Sequence, residues 1–241
     1  MSLQFIMGNS GSGKSYCLYD TVVREAIENP DKNYLVIVPE QFTMQTQKDL
    51  CLAHPKGGIM NIDVLSFGRL AYRVFEEVGQ DARVVLDDEG KNLVLRKIAG
   101  ECEKDLKVFK GNLKKQGYIS EVKSVLSEFA QYGVDFERLD DFMKEVPPES
   151  YLHYKLDDIR TIYEKFEEYL SEKYITKEEM LDVLSDAVPY SDILKGSVVA
   201  MDGFTGFTPV QNRLIGELFS VCEKVMITVT MDGRENPYVY E

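Results

Sequence analysis

Residues 3–15, LQFIMGNSGSGKS, carry the strongest structural signal in the chain. The apolar run 3–7 is typical of a buried strand, and a glycine-rich segment follows it directly. That segment fits the pattern G-x-x-x-x-G-K-[ST] in full. Glycines let backbone N–H groups approach phosphate oxygens, and a helix N-terminus after the loop favours an anion. The residues expected to bind a nucleotide are therefore Gly8, Asn9, Ser10, Gly11, Ser12, Gly13, Lys14 and Ser15.

Two side chains of this loop have the chemistry that a nucleoside triphosphate requires. Lys14 can reach the β and γ phosphates, and the Ser15 hydroxyl can hold Mg²⁺. A chance match in a glycine-rich turn is the alternative. The strand-like run before the loop and the helical spacing after it argue against chance. We therefore expect ATP and Mg²⁺ as the ligands.

Apolar runs alternate with helical patterns on both sides of this segment. The runs 34–38 and 62–65 alternate with helical patterns at 40–52 and 67–78. Farther along, the run 197–201 precedes a helix near Pro209, and 224–230 forms a last strand. This order predicts an α/β fold, namely a P-loop NTPase (RecA-like) parallel sheet flanked by helices.

Residues 86–188 break this alternation because helical signals dominate there. The longest helix is expected after Ser150, with its apolar residues on one stripe. The predicted helix starts are Asp87 or Asp88, Ser120, Asp135, Ser150 and a Thr176–Glu179 capping box. We predict a discontinuous P-loop domain, 1–85 and 189–241, interrupted by an all-helical insertion at 86–188.

A second acidic position follows the predicted strand 197–201. Asp202 lies where a P-loop enzyme holds Mg²⁺ with a carboxylate at a neighbouring strand tip, although it could instead merely end the strand. In hydrolysing motors a glutamate commonly follows as base, whereas here the next residue is Gly203. We therefore predict a metal site at Ser15 and Asp202, name no catalytic residue, and expect weak or lost ATP hydrolysis. The same comparison gives the hypothesis that Gly203→Glu raises ATP turnover in the full-length protein.

Composition limits the classes of function. The 241 residues are 44% hydrophobic, which suffices for one large domain or two modest ones, and a net charge of −13 argues against a protein that coats nucleic acid. No apolar stretch approaches the roughly 18 residues of a membrane span, and no signal peptide is visible, so we expect a cytoplasmic protein. Four cysteines lack metal-ligand spacing and are expected to be reduced thiols: Cys17, Cys51, Cys102 and Cys222.

Several segments together resemble superfamily 1 helicases of the UvrD and RecB type. GNSGSGKS is similar to their motif I, and VPEQFTMQ lies where they have a strand-to-helix segment that touches single-stranded DNA. MDGFTGFTPVQ is similar to motif II, with Asp202 and Phe204 kept and Gly203 departing from the pattern. VMITVTMDGRE resembles motif III, with Asp232 kept. PEQFT, LSFGRLAY and DGFTGFTPVQ resemble more specifically the AddB (RexB) subunits of ATP-dependent helicase–deoxyribonucleases.

This resemblance implies helicase domain 1A with a 1B-like insertion. It further implies a role in repairing DNA double-strand breaks, as a heterodimer with an AddA-type subunit that supplies the main motor. Subunits of this family handle one DNA strand and recognise the sequence Chi. They are much longer and carry a nuclease domain with a 4Fe–4S cluster in a C-terminal region, so we expect this chain to be a fragment. The four cysteines are then not cluster ligands.

The resemblance also implies residues that face single-stranded DNA: Gln41, Thr43, Ser66, Phe67 and Arg69. Phe67 could instead pack in the core, and Arg69 could lie on a solvated helix face. A dense basic segment could contact a phosphate backbone or form a solvated helix surface. Its members are Lys104, Lys107, Lys110, Lys114 and Lys115.

Two other classes of function remain open on the sequence alone. One is a P-loop kinase of a small molecule, whose lid would bring arginines to the phosphates. The insertion has only Arg96, Arg138 and Arg160. The other is a nucleotide-binding interaction module that does not hydrolyse. Intact Lys14 and Ser15 argue against complete loss of the site.

Overall fold

The computed structural model describes residues 2–79, 83–113, 115–171 and 173–231. Contacts within the chain divide it into two compact units. Unit 1 comprises Met1–Gln80, Val183–Phe207 and Gln211–Glu241. Unit 2 comprises Asp81–Asp182 together with Thr208–Val210.

The elements alternate as a mixed α/β chain. The strands are β1 (Ser2–Gly8), β2 (Tyr34–Ile37), β3 (Ile62–Leu65), β4 (Val84–Leu86), β5 (Tyr174–Thr176), β6 (Val198–Met201) and β7 (Lys224–Thr230). The helices are α1 (Lys14–Glu28), α2 (Thr43–Ala53), α3 (Phe67–Val78), α4 (Asp88–Cys102), α5 (Gln116–Tyr132), α6 (Phe136–Glu145), α7 (Tyr151–Leu170), α8 (Lys177–Ala187) and α9 (Pro209–Val221). Short 3-10 turns lie at Glu40–Phe42 and Val188–Tyr190.

The sheet of unit 1 has five strands in the order β1-β7-β6-β2-β3, and each pairing is parallel. The predicted parallel sheet flanked by helices is thus confirmed. β2 and β6 are fully buried, as expected of continuous apolar runs inside a parallel sheet. Alternate residues of β2 face opposite sides, and Tyr34 and Val36 join a core with Leu18 and Val22 of α1.

β1 is not the buried strand that its apolar run predicted. It is an edge strand whose described partner is β7 alone. Leu3, Phe5 and Met7 lie on one face and are 44%, 50% and 62% exposed, whereas Ile6 packs towards α1 on the other face. An apolar run in a sequence indicates a strand, but it does not show whether that strand lies at the centre or at the edge of the sheet.

Unit 2 is mainly helical, and its core joins α4, α5 and α7 through residues such as Leu95, Val122 and Ile162. The prediction of an all-helical insertion was wrong, because β4 and β5 form a two-stranded parallel sheet. Strands of three residues are too short to show alternation in a sequence.

Most of the predicted helix starts in this region are confirmed. The side chains of Asp87, Asp135 and Ser150 each accept a hydrogen bond from a backbone N–H three residues later. The Thr176–Glu179 capping box forms reciprocally, at 2.6 and 3.2 Å. Ser120 was wrong as a start, because α5 already begins at Gln116.

A membrane helix was not expected from the sequence. Across the described ranges, every helix is too short or too polar to cross a bilayer.

Candidate functional site

The glycine-rich segment forms the turn between β1 and α1. β1 ends at Gly8, and α1 begins at Lys14 with Gly13 as its N-cap. Gly11 and Gly13 have φ values of +75° and +83°, which a side chain disfavours. A Cβ at Gly8 would lie 2.5 Å from Ser12 Oγ. The sequence therefore needs glycine at these positions to build the loop, whose exposed backbone precedes a helix N-terminus.

Lys14 and Ser15 are the first two residues of α1. Lys14 Nζ donates a hydrogen bond to the carbonyl oxygen of Asn9 at 2.8 Å, so the ammonium lies back over the loop. Ser15 lines a neighbouring cavity of about 260 Å³. Because α1 follows the loop directly, both side chains are held where an anion bound by the loop would meet them.

Asp202 directly follows β6 and is only 6% exposed. Its Oδ1 accepts a hydrogen bond from Thr228 Oγ1 at 2.6 Å, and its Oδ2 accepts one from the Tyr19 hydroxyl at 2.7 Å. Tyr19 Oη also lies 3.2 Å from Thr46 Oγ1. Burial raises the pKa of the Tyr19 phenol above its ordinary value, so this hydroxyl remains protonated and able to donate.

Ser15 and Asp202 line the same cavity, which also has Tyr19 and Thr46 in its wall. β1 and β6 belong to one parallel sheet, so their carboxyl ends meet at the same edge. A hydroxyl and a carboxylate oxygen are ligands that Mg²⁺ accepts, and this ion usually takes only one or two protein ligands besides phosphate and water. The described part of the chain has no cluster of three acidic, histidine or cysteine side chains fit for a metal.

Gly203 completes the bend after Asp202 in a left-handed conformation, with φ +78°. A Cβ there would lie 3.4 Å from the Phe42 ring and 3.5 Å from Pro39. The backbone at this position therefore disfavours the glutamate that hydrolysing motors carry. Another carboxylate in the cavity wall, Asp49 on α2, accepts a hydrogen bond from Gln45 at 2.7 Å.

Four of the five residues expected to face DNA surround or adjoin Glu40, at the carboxyl ends of β2 and β3. Ser66 Oγ donates to the Glu40 carboxylate, and Arg69 Nε lies 3.5 Å from Glu40 Oε1. Thr43 Oγ1 donates to the Glu40 carbonyl at 3.0 Å, and Gln41 is the next residue along the chain. Gln41 and Arg69 are exposed, whereas Thr43 and Ser66 are buried.

Phe67 is buried and packs against Phe204, with ring centroids 5.3 Å apart. Phe204 in turn packs against Phe207 at 5.1 Å. Ser66 serves as the N-cap of α3, because its side chain accepts from the Arg69 N–H. Phe67 and Ser66 thus have structural roles, and Gln41 and Arg69 are the members of the set with accessible side chains.

The basic segment lies outside helices among the described residues. Positions 103–113 and 115 form turns and bends between α4 and α5, so the alternative of a solvated helix surface was wrong. Lys107 pairs with Asp157 at 2.8 Å and lies over the Tyr154 ring. Asp158 holds the segment by accepting three backbone N–H bonds, from residues 107, 108 and 109. Lys114 and Asp232 lie outside the described residues.

Three contributors to these sites were missed from the sequence: Tyr19, Thr228 and Glu40. Tyr19 lies four residues after Ser15, a spacing that puts two side chains on one helix face, and this signal was available. Thr228 was recognisable only as part of β7. Its contact with Asp202 depends on β6 and β7 being neighbours in the sheet, which a single sequence does not reveal.

Taken together, the fold and the site define a class: a mixed α/β protein with a mostly parallel sheet, whose polar candidate site lies at the carboxyl edge of that sheet. Residues 5–240 match the family model "ADDB, N-terminal". The chain therefore belongs to the AddB N-terminal family.

Similar proteins are named as the B subunits of ATP-dependent helicase/deoxyribonucleases. The one from Lachnoclostridium phytofermentans is 48% identical over 235 residues, which cover 98% of this chain and 20% of that protein. Those from Clostridium tetani and Alkaliphilus metalliredigens are 37% and 35% identical, over 97% and 96% of this chain and 20% of each relative. The chain thus spans about a fifth of the length of these curated relatives.

Proposed function

We propose that this chain is the nucleotide-binding, helicase-like segment of an AddB-type subunit. Residues 8–15 bind the phosphates of ATP as a P-loop in a RecA-like domain, with Lys14 on the β and γ phosphates. Ser15 and Asp202 hold Mg²⁺, which neutralises phosphate charge when bound. The domain organisation proposed with it is helicase domain 1A at 1–85 and 189–241, with a 1B-like insertion at 86–188.

The observation that carries this proposal is the shared cavity of Ser15 and Asp202. The two residues are 187 positions apart by their numbering, and the sheet brings them to one cavity next to a loop that matches the phosphate-binding pattern. Ligands of open parallel sheets bind at the carboxyl ends of the strands, which is where this cavity lies.

A weak or absent ATPase is part of the proposal. The position after Asp202 is a glycine with a left-handed backbone, so the carboxylate base of hydrolysing motors is missing. This observation favours the non-hydrolysing variant of the function over an active motor.

We propose that Gln41, Thr43, Ser66, Phe67 and Arg69 together form a surface that binds single-stranded DNA. The exposed side chains of Gln41 and Arg69 are the members able to reach a strand directly. Thr43, Ser66 and Phe67 are buried and support this surface from the inside of the protein. Replacing Arg69 by alanine then weakens binding of an oligonucleotide and reduces its salt dependence.

The names of the relatives support the wider role. We propose that the whole protein works in the cytoplasm with an AddA-type subunit, on single-stranded DNA and double-strand break ends, in recombinational repair that responds to Chi. The 4Fe–4S cluster expected of the family is assigned to another region, because Cys17, Cys51, Cys102 and Cys222 lack the close spacing of cluster ligands.

A titration with a fluorescent ATP analogue and Mg²⁺ tests the nucleotide site. The unmodified chain should bind saturably, and Lys14→Ala should lose most of the affinity because the ammonium that pairs with phosphate is gone. Lys56→Ala is the matched control, since Lys56 is exposed in a loop after α2. Equal binding by the unmodified chain and Lys14→Ala would refute the proposed site, and phosphate transfer to a small molecule would favour the kinase.

A further inference from the structure

Both oxygens of the Asp202 carboxylate are held by hydroxyl groups. Thr228 Oγ1 donates to Oδ1 at 2.6 Å, and the Tyr19 hydroxyl donates to Oδ2 at 2.7 Å. The backbone N–H of Asp202 donates to the Ile37 carbonyl at 3.1 Å. The carboxylate is therefore fixed in position and in rotation by groups from α1, β2 and β7.

The two hydroxyl donors come from elements that also build the nucleotide site. Tyr19 lies one helical turn after Ser15, so α1 carries both the proposed metal hydroxyl and the group that orients the proposed metal carboxylate. Thr228 lies on β7, which is the direct neighbour of both β1 and β6. Thr46 on α2 is within hydrogen-bond distance of Tyr19 and limits the movement of its hydroxyl.

The hydroxyl donors leave part of the carboxylate free. An ionised carboxylate offers about four lone-pair sites, and these two hydroxyl groups occupy one on each oxygen. Asp202 and Ser15 both line the cavity, so the remaining capacity is available to a ligand that enters there. Two hydrogen bonds of 2.6 and 2.7 Å on a nearly buried carboxylate are the arrangement that orients metal ligands in other proteins.

We propose that Tyr19 and Thr228 are positioning residues that orient Asp202 for Mg²⁺ in the nucleotide complex. This inference rests on the proposed function, because it assigns a role towards the metal of that same site. Neither side chain binds the nucleotide itself. Their removal therefore weakens the binding of Mg²⁺ in the nucleotide complex and leaves nucleotide binding without Mg²⁺ unchanged.

The experiment measures the Mg²⁺ concentration at half-maximal binding of a fluorescent ATP analogue, starting from EDTA. Tyr19→Phe and Thr228→Val should each raise this midpoint by roughly tenfold or more, the usual effect of losing a group that orients a metal ligand. Thr228→Ser keeps a hydroxyl and should restore the midpoint. Tyr190→Phe is the control, because Tyr190 belongs to the same unit and is largely exposed.

Each outcome separates this inference from the proposed function. Binding in EDTA that is unchanged in the variants, together with a shifted midpoint, supports the positioning role. A midpoint equal to that of Tyr190→Phe, or an equal loss with and without Mg²⁺, overturns it and leaves the proposed function standing. No nucleotide binding by the unmodified chain overturns both. Thermal unfolding verifies that each variant is folded, and Thr228→Val with Thr228→Ser decides the matter if Tyr19→Phe does not fold.

Discussion

Gly203 links backbone conformation to the chemistry expected of the site. Its φ of +78° lets the chain turn directly after Asp202, beside Phe42 and Pro39. A left-handed conformation costs a residue with a Cβ about 1–2 kcal/mol. The glycine therefore stabilises the bend that presents Asp202, and the same bend disfavours a glutamate that would serve as base.

The hypothesis that Gly203→Glu raises turnover is accordingly revised. We expect this substitution to lower the free energy of unfolding by about 1–2 kcal/mol and to leave ATP turnover flat. Chemical denaturation and a phosphate-release assay measure the two quantities. Gly206→Glu is the matched control, because Gly206 has no positive φ and no atom within 4 Å of a built Cβ. Increased turnover with unchanged stability would contradict the argument.

Individual residues were predictable where a local rule applied. The caps Asp87, Asp135 and Ser150 were found because a helix start depends on neighbours three positions away. The contacts of Asp202 were not predictable in the same way. Thr228 and Tyr19 reach it from 26 and 183 positions away, and only the order of the strands and the packing of α1 on the sheet bring them together.

Among the elements, β1 has an unusual combination of position and composition. Among the described residues it is an edge strand paired with β7 on one side, and Leu3, Phe5 and Met7 expose apolar surface on one of its faces. Exposed apolar edge strands are sites of association between chains. The sequence predicted the strand but not its exposure, because Leu, Phe and Met favour a strand equally at the edge and at the centre of a sheet.

We predict that the chain on its own associates through β1 as its concentration rises. Phe5→Lys should reduce this association, because a charged side chain on an exposed strand face opposes stacking and pairing. Sedimentation velocity across a concentration series measures the effect. Ile27→Lys is the control, since Ile27 is similarly exposed but lies on α1. A chain that stays monomeric throughout, or equal association of both variants, would count against the prediction.

The helices α7 and α8 bring two carboxylates near each other in unit 2. The pKa of Glu167 is raised to about 7. Burial of the carboxyl group is the larger cause, and the nearby charge of Glu179 is the smaller one. Glu179 is committed to its capping box with Thr176, so its charge is fixed in place. Glu167 therefore binds a proton in the folded state over a pH range where the unfolded chain does not.

This proton makes stability depend on pH in a defined direction. The pKa of Glu167 in the folded state exceeds its ordinary value of 4.5. The stabilising contribution of Glu167 to the free energy of unfolding is therefore complete below about pH 4.5 and is lost as the pH rises through about 7. Glu167→Gln should remove that decline. Urea denaturation at intervals from about pH 5 to 8 measures it, with Glu168→Gln, an exposed neighbour, as control. An unchanged pH profile in Glu167→Gln would contradict the assignment.

For the whole molecule, the parallel sheet and the family were both accessible from sequence. The alternation of apolar runs with helical patterns gave the sheet of unit 1, and the motifs around residues 8–15, 39–43 and 202–211 gave the resemblance that the family match confirms. The sheet β4-β5 was missed because each strand has only three residues. The functional consequence of the fold is that one edge of one sheet gathers the glycine loop, Asp202 and the surface around Glu40.

Hydrogen–deuterium exchange with and without ATP and Mg²⁺ locates the nucleotide on this molecule. We predict slower exchange of the backbone amides of residues 8–15 and of the residues around Asp202 when ATP and Mg²⁺ are added, because the loop N–H groups then bond to phosphate. The same protection should be absent in Lys14→Ala and present in Lys56→Ala. Protection confined to other segments, or equal protection in Lys14→Ala, would contradict the assignment of residues 8–15 as the nucleotide site.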